Sequence, residues 1–301
     1  MKKTLIKLSV IVIVLLLAFS SYLMANNNNS NSSKEKVMTQ LMLHSLSSWH
    51  YSPVKINDEF STTAFNLYIK SLDPAKKFFY KSDIDALKRF QNRIDNELNH
   101  GDTDLLDAAT TTLRERIEEV QGFYLELLSQ PFNYEVNESL QLDPEKRNFV
   151  KDKSEMKELW RKLLKNQSAT VYLQLVQQKN EKNKVKRISG TIDSKLESEA
   201  RKKVSQDIKR ILNRLLQETR MDQLERYLDS VTAAFDPHTT YYAPQSKEDF
   251  DIDMTGTLEG IGAQLQEQED GDYIKVEKVI PGSPAWRGKE LQEGDIILKV
   301  A

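Results

Sequence analysis

The chain has 301 residues, room for about two domains, of which 39% are hydrophobic and 29% charged. Its 43 basic and 45 acidic residues give a net charge of −2, so no nucleic-acid partner is indicated. The absence of cysteine excludes disulfides, thiolate zinc sites and a cysteine nucleophile. With only 10 glycines and 8 prolines, the composition favours helix over sheet.

The first residues have the pattern of an export signal. Three lysines precede an apolar run at 8–19, and small residues suitable for cleavage follow. Residues 1–25 are therefore predicted to be a signal peptide, and removal is favoured because the run is shorter than a membrane-spanning helix needs. Extending the run to Met24 leaves an uncleaved anchor open. Residues 26–33 are polar and of low complexity, which predicts a tether.

Residues 34–235 show apolar side chains at intervals of three and four, which predicts a helical domain. Asn57 is predicted to begin one helix. Ser82 is predicted to begin the next helix, which Gly101 ends as a C-terminal glycine cap. Long helices are expected at 154–179, 193–219 and 222–235. The basic segment 179–187 is interpreted as a solvated loop, with a docking surface as the alternative.

The character of the sequence changes after Phe235, where a connecting segment is predicted at 236–247 and a β-rich module at 248–301. Seven of the ten glycines lie from 256 onward, separated by short runs of period two. A hairpin is predicted from strands 261–268 and 273–280 with a turn at 269–272. A capping serine and proline at 283–284 predict a short helix that a glycine at 288 ends, and the last strand is expected at 296–300.

The loop Gly260-Ile261-Gly262-Ala263 enters the first strand of this hairpin. Consecutive backbone N–H groups without bulky side chains can form a nest that binds a terminal carboxylate. An extended peptide would then add to the strand that follows. The spacing alone favours an ordinary tight turn, because Gly-x-Gly is common in such turns, and it leaves the carboxylate nest as the alternative.

Several motifs in this order carry a family resemblance. The glycine loop, together with segments 279–285 and 291–298, resembles a bacterial PDZ domain. The segment 236–244 resembles the part that precedes the PDZ domain in C-terminal-processing, or tail-specific, proteases. His50-Tyr51, 72–74 and 78–83 are similar to the helical N-terminal domain of the long periplasmic members.

The resemblance implies an α+β chain, predominantly helical, followed by an incomplete PDZ-like module. In that family the PDZ domain captures the C-terminal tail of a substrate protein, and a downstream core cleaves it with a serine nucleophile and a lysine base. Carried over by residue, Gly260, Ile261, Gly262 and Ala263 would hold the carboxylate and Leu265 would lie beside an apolar pocket. The remainder of the PDZ domain and the protease core are expected to follow Ala301, so no catalytic residue is predicted here and the chain is expected to be inactive alone.

Two function classes therefore stay open. The first is the N-terminal portion of a periplasmic tail-specific endopeptidase, with an adaptor on its helical domain and inner-membrane attachment left open. The second is a noncatalytic periplasmic binding or adaptor protein. An exposed sheet edge at a true chain end would be a liability, which favours the first class.

Other candidate chemistry is interpreted as structural. Ser154 with Lys157, and Ser33 with Lys36, have the spacing of a serine–lysine pair, but Ser154 is predicted to cap a helix instead. The four histidines lack metal-ligand spacing, so no metal or cofactor is predicted. His238 is expected to brace the corner at 236–237 by hydrogen bonding.

Overall fold

The computed structural model describes residues 33–183, 191–255, 260–267 and 273–299. Its α-helices are α1 (33–49), α2 (Asp58–Leu72), α3 (Lys81–Leu87), α4 (Ile94–His100), α5 (Asp104–Gln121), α6 (Tyr124–Leu128), α7 (Lys153–Asn183), α8 (Ser194–Gln217), α9 (Arg220–Phe235), α10 (Pro244–Thr255) and α11 (Pro284–Gly288). Short 3-10 turns lie at Lys88–Phe90 and Pro144–Lys146. The strands are β1 (Ala263–Glu267), β2 (Ile274–Val279) and β3 (Ile296–Ile297). The chain is thus α+β, as the sequence predicted.

The chain divides into two compact units. The first comprises Met1–Pro74, Asp83–Thr111 and Gln223–Tyr241. The second comprises Ala75–Ser82, Thr112–Asp222 and Tyr242–Ala301. The sequence pattern gave no sign of this division, because both units contain helices with the same apolar spacing.

The first unit is built around an aromatic and aliphatic core. The side chains that fill it are buried and come from α2, α4, α5 and α9: Phe60, Phe65, Tyr68, Leu72, Ile94, Leu98, Leu105, Leu106, Leu224, Tyr227, Leu228, Val231 and Phe235. Each fully buried side chain of this size contributes roughly 1.5–3 kcal/mol relative to exposure. Ser61 ties α2 to α4, since its hydroxyl donates to Asp95 Oδ1 at 3.0 Å and accepts from the Asp95 N–H at 2.9 Å.

Two of the predicted helix ends in this unit are confirmed, and one predicted helix is broken. Asn57 caps α2 by accepting from the Phe60 N–H at 3.1 Å. Gly101 ends α4 at φ 72°. The predicted helix from Ser82 to Gly101 is interrupted at 88–93, where a 3-10 turn follows α3 and Arg93 leaves the helical region. The guanidinium groups of Arg89 and Arg93 lie over the ring of buried Phe90, at 4.6 and 5.9 Å from its centroid, and stabilise the turn.

The second unit contains α7 and α8, which pack along each other, with α6 against both. Trp160 of α7 is buried, and its indole N–H donates to the Lys77 carbonyl at 2.8 Å. The prediction that Ser154 caps this helix is wrong. Asp152 is the cap, because its Oδ1 accepts from the N–H groups of Ser154 at 2.8 Å and Glu155 at 3.0 Å. A carboxylate at this position also faces the positive end of the helix dipole.

The described strands form an antiparallel sheet in the order β1-β2-β3. The predicted hairpin of β1 and β2 is confirmed, with a bulge opposite Gln264 and Leu265. Val276 of β2 is fully buried. The predicted alternation of buried residues at 261, 263 and 265 is not observed, since Ala263 is half-buried but Leu265 of β1 and Ile261, which precedes β1, are both exposed.

Two local features were not predicted. The stretch at 244–255 forms α10, although the sequence suggested a connecting segment that ends at 247. The short helix α11 ends at Gly288 as predicted, but the left-handed residue that caps it is Lys289, with φ 57°. The signal peptide, residues 26–32 of the tether, residues 184–187 of the basic segment, the hairpin turn at 269–272 and the last two residues lie outside the described residues. Residues 179–183 of the basic segment form the end of α7, where a loop was predicted.

Candidate functional site

The glycine loop before β1 depends on one glycine with a left-handed backbone. Gly262 has φ 76° and is buried. A Cβ at this position would overlap the Cβ of Ser283, which precedes α11. Only glycine combines this backbone conformation with so close an approach. The second glycine of Gly-x-Gly is therefore required here by packing as well as by the turn.

The carbonyl groups of the loop are occupied by hydrogen bonds from the returning chain. The Gly262 oxygen accepts from the Ile280 N–H at 2.9 Å and from the Ser283 hydroxyl at 3.1 Å. The Ile261 oxygen accepts from the Ala285 N–H at 2.9 Å. By contrast, the N–H groups of Gly260, Ile261 and Gly262 donate to no other described residue. The loop thus presents backbone donors, while the Ile261 and Gly262 carbonyl groups are already bonded, an arrangement that suits an anionic ligand.

The edge of β1 is free to accept a further strand within the described sheet. β1 lies at one end of the strand order. Because Gly262 pairs with Ile280 through a backbone hydrogen bond, the alternation of an antiparallel ladder points the backbone groups of Ala263 and Leu265 away from β2. These outward N–H and C=O groups could bond to an added peptide strand.

Leu265, the side chain predicted to lie beside an apolar pocket, is 45% exposed and belongs to the same strand face as Ala263. Ile261, in the loop before β1, is 54% exposed. The structure therefore brings all five predicted residues, Gly260, Ile261, Gly262, Ala263 and Leu265, onto one loop and the strand edge that continues it. What ligand they hold stays a prediction.

Ser283 is a residue of this site that the sequence indicated only as a helix cap. Its hydroxyl accepts from the Trp286 N–H at 3.2 Å, as a cap does, and also donates to Gly262. This second bond ties α11 to the glycine loop. No sequence signal could have shown it, because the two residues are 21 positions apart and meet only when the hairpin closes.

Neither serine–lysine pair forms a catalytic arrangement. The Lys157 amine lies 3.2 Å from Glu126 and over the ring of Phe123, and the Ser154 backbone is bound by the cap. Lys36 packs its side chain against Gly101. In the ranges that the structure describes, no group of three or more histidines or carboxylates could hold a metal. No helix among the described residues is both long and apolar enough to cross a membrane.

In the first unit, His50 and His238 each contact a residue of the segment that follows α9. The His50 Nε2 atom lies 3.0 Å from the Thr239 hydroxyl, and its ring meets that of Phe235 edge-on at 4.9 Å. The side chain of His238 is 92% exposed and lies 3.4 Å from Asp236, while its backbone N–H donates to Asp236 at 2.8 Å. The bracing role that the sequence suggested for His238 is thus carried mainly by a histidine 189 residues from Thr239.

The chain has a helical part followed by an antiparallel hairpin, and its glycine loop packs against a short helix. This arrangement is that of a protein with a helical N-terminal part and a PDZ module. The sequence model described as the tail specific protease N-terminal domain matches residues 42–245, and the PDZ domain model matches residues 250–301. The chain is also 28% identical to the tail-specific protease of Haemophilus influenzae, over 89% of its own length and 36% of that relative. It spans about a third of the length of that relative. The chain belongs to the tail-specific protease family.

Proposed function

We propose that this chain is the N-terminal portion of a periplasmic, serine-type endopeptidase that recognises the C-terminal tails of substrate proteins. The family membership and the PDZ match support the protease role. The observation that carries tail recognition is the geometry of Gly262, whose left-handed backbone leaves free donors beside the open edge of β1. Periplasmic location rests on the signal pattern at 1–25 together with the relative.

In the proposed complex, the terminal carboxylate of the tail accepts hydrogen bonds from the N–H groups of Gly260 to Ala263. Charge-assisted bonds of this kind are about twice as strong as neutral ones. The tail then extends antiparallel or parallel to β1 and bonds to the outward backbone groups of Ala263 and Leu265. The last apolar side chain contacts Leu265, whose exposed surface loses water on binding.

Fluorescence anisotropy of the native protein with a labelled peptide tests this proposal. The peptide ends in an apolar residue, with either a free carboxylate or an amide. The free acid should bind at least about tenfold more tightly, because the amide loses the charge-assisted bonds. Leu265→Lys should weaken binding to a similar extent. Leu173→Lys, at an exposed leucine of α7, should leave it unchanged. Equal affinity for acid and amide, or no binding of either, would contradict the proposal.

A noncatalytic adaptor would use the same β1 edge, so peptide binding does not distinguish it from the protease. The two functions differ in whether a catalytic core belongs to the same polypeptide. The coding frame beyond the Ala301 codon decides between them.

A further inference from the structure

The first unit contains a carboxyl group buried at the meeting point of several helices. Glu97 of α4 is 3% exposed. Its Oε2 atom accepts from the Leu105 N–H at the start of α5, at 3.3 Å. Within the described residues it forms no salt bridge, and its Oε1 atom has no hydrogen-bond partner of normal geometry. A buried carboxylate in this position is costly unless it is paired.

The groups around Glu97 come from α2, α9 and the start of α5. Tyr227 of α9 is fully buried with its hydroxyl near the carboxyl, and Tyr68 of α2 meets the Tyr227 ring edge-on at 5.1 Å. The charged groups that act on the carboxyl are Asp104 and Asp102, which repel a negative charge, and Arg93, which attracts it. The surroundings thus contain two phenols, two further carboxylates and a single cation.

These surroundings favour the protonated, neutral form of the Glu97 carboxyl group. Burial is the largest cause that raises the pKa of Glu97 from 4.5 to about 7, with Asp104 and Asp102 adding to it. The Leu105 N–H and Arg93 act in the opposite direction. Burial also raises the pKa of Tyr227 well above its ordinary value, so this phenol stays protonated wherever Glu97 titrates.

We propose that Glu97 is a pH-sensitive lock of the first unit, closed when the carboxyl is protonated and loosened when it ionises. The neutral acid can both donate and accept a hydrogen bond, so it can engage the Tyr227 hydroxyl while still accepting from Leu105. The ionised form places an unpaired charge between α4, α5 and α9. This inference does not rest on the proposed function, because it concerns the stability of the first unit alone.

Loosening this lock would reach the segment that precedes the PDZ module. Tyr227 lies on the same helix as Phe235, two turns earlier, and Phe235 contacts His50. His50 in turn contacts Thr239, which lies in the segment 236–241. Ionisation of Glu97 should therefore raise amide exchange in α9 and at 236–241 together. Through these contacts, the pH around the protein would control how well the segment 236–241 is ordered.

The direction of the pH effect follows from the raised pKa. The stabilising effect of protonated Glu97 is fully present below the unfolded-state pKa near 4.5, and it is lost as pH rises through about 7. The full 301-residue chain and its Glu97→Gln variant, which keeps a neutral side chain, should be unfolded in urea at half-unit steps from pH 4.5 to 8.5. The two proteins differ only at residue 97, so the difference between the two profiles isolates Glu97.

We expect the unfolding constant of the unmodified chain to rise relative to that of Glu97→Gln, by on the order of a hundredfold between pH 4.5 and 8. Glu118→Gln, at an exposed glutamate of α5, should keep the unmodified pH profile. Identical profiles for the unmodified chain and Glu97→Gln would overturn the proposal. If the variant does not fold, carboxyl NMR titration of the unmodified chain decides: an apparent pKa near 7 supports the lock, and one near 4.5 overturns it.

Discussion

His50 Nε2 and the Thr239 hydroxyl lie 3.0 Å apart, although 189 positions separate them in the chain. The other ring nitrogen of His50 lies 3.0 Å from the Ser52 carbonyl, so the imidazole bridges the start of the helical part and the segment after α9. Both motifs resemble family segments in the sequence, but only the structure shows that they contact each other. The conformation of the chain just before α10 thus depends on a residue near the other end of the chain.

His50→Ala should free this segment. The variant loses one hydrogen bond, worth about 1 kcal/mol, and an edge-on ring contact with Phe235 of similar size. The first unit should be destabilised by roughly 2 kcal/mol, and amides at 236–241 should exchange faster. His238→Ala removes a histidine that is almost fully exposed, and it should change the stability by less than about 0.5 kcal/mol. Equal effects of the two substitutions in hydrogen exchange would refute the bridging role of His50.

Asp152 and Ser154 offer a direct comparison of the observed and predicted caps of α7. Asp152→Ala removes the acceptor for two backbone N–H groups and should cost about 1 kcal/mol of unfolding free energy. Ser154→Ala should change it by only a few tenths, because alanine is favourable inside a helix. Chemical denaturation of both variants measures the difference. A larger loss of unfolding free energy in Ser154→Ala than in Asp152→Ala would show that Ser154 is the cap, as the sequence suggested.

Gly262→Ala should disrupt the glycine loop. The left-handed backbone alone costs about 1–2 kcal/mol for an alanine, and the added methyl overlaps Ser283. Limited proteolysis should therefore cleave faster between 260 and 299 than in the unmodified chain. Gly288→Ala is the matched control, since a methyl at this helix end meets nothing within 4 Å. Unchanged cleavage of Gly262→Ala would show that the loop does not need its glycine.

Glu138 should hold the segment 129–143 in place down to unusually low pH. Hydrogen bonds from Arg161 and then Lys165 lower the pKa of this carboxyl from 4.5 to about 2. Its stabilising effect is present above pH 4.5 and is lost only as pH falls through about 2. Pepsin should therefore cut the segment 129–143 slowly at pH 3.5 and rapidly near pH 2. Glu138→Gln should be cut rapidly at both values, whereas Glu126→Gln, at an exposed glutamate, should match the unmodified chain.

Much of the fold was predictable wherever a local backbone rule decides the outcome. Asn57 and Ser283 have the side chains that cap helices, and Gly101 has the freedom that a C-terminal cap needs. The hairpin followed from strict alternation on both sides of a glycine-containing turn. These signals lie within a few residues of the features they determine.

The structure differs from the sequence-based predictions at features that the local sequence pattern does not show. At the helix break at 88–93, two arginines lie over the ring of Phe90. The left-handed Lys289 occupies a conformation normally given to glycine. Helix α10 has almost no apolar face, so periodicity could not reveal it. Glu97 lies between Ile94 and Leu98 on α4, and this position could have suggested burial, but Tyr227, which lies near it in the structure, is 130 residues away in the sequence.

The sequence predicted which residues form the candidate site, but it did not predict the contacts that hold them in place. The glycine loop and Leu265 were identified by resemblance, and the structure places them on one strand edge. The bond from Ser283 to Gly262 and the overlap that excludes any side chain at 262 depend on the closed hairpin. Such packing constraints arise only after the elements are assembled.

We propose that this chain is part of a larger tail-specific protease polypeptide. The most direct measurement is the coding sequence beyond the Ala301 codon, together with the mass of the native protein. The account predicts an open frame that completes the PDZ domain and continues into a serine/lysine core, with a mass well above 34.8 kDa. An in-frame stop directly after Ala301, with a native mass at or below 34.8 kDa, would contradict the protease and leave the adaptor.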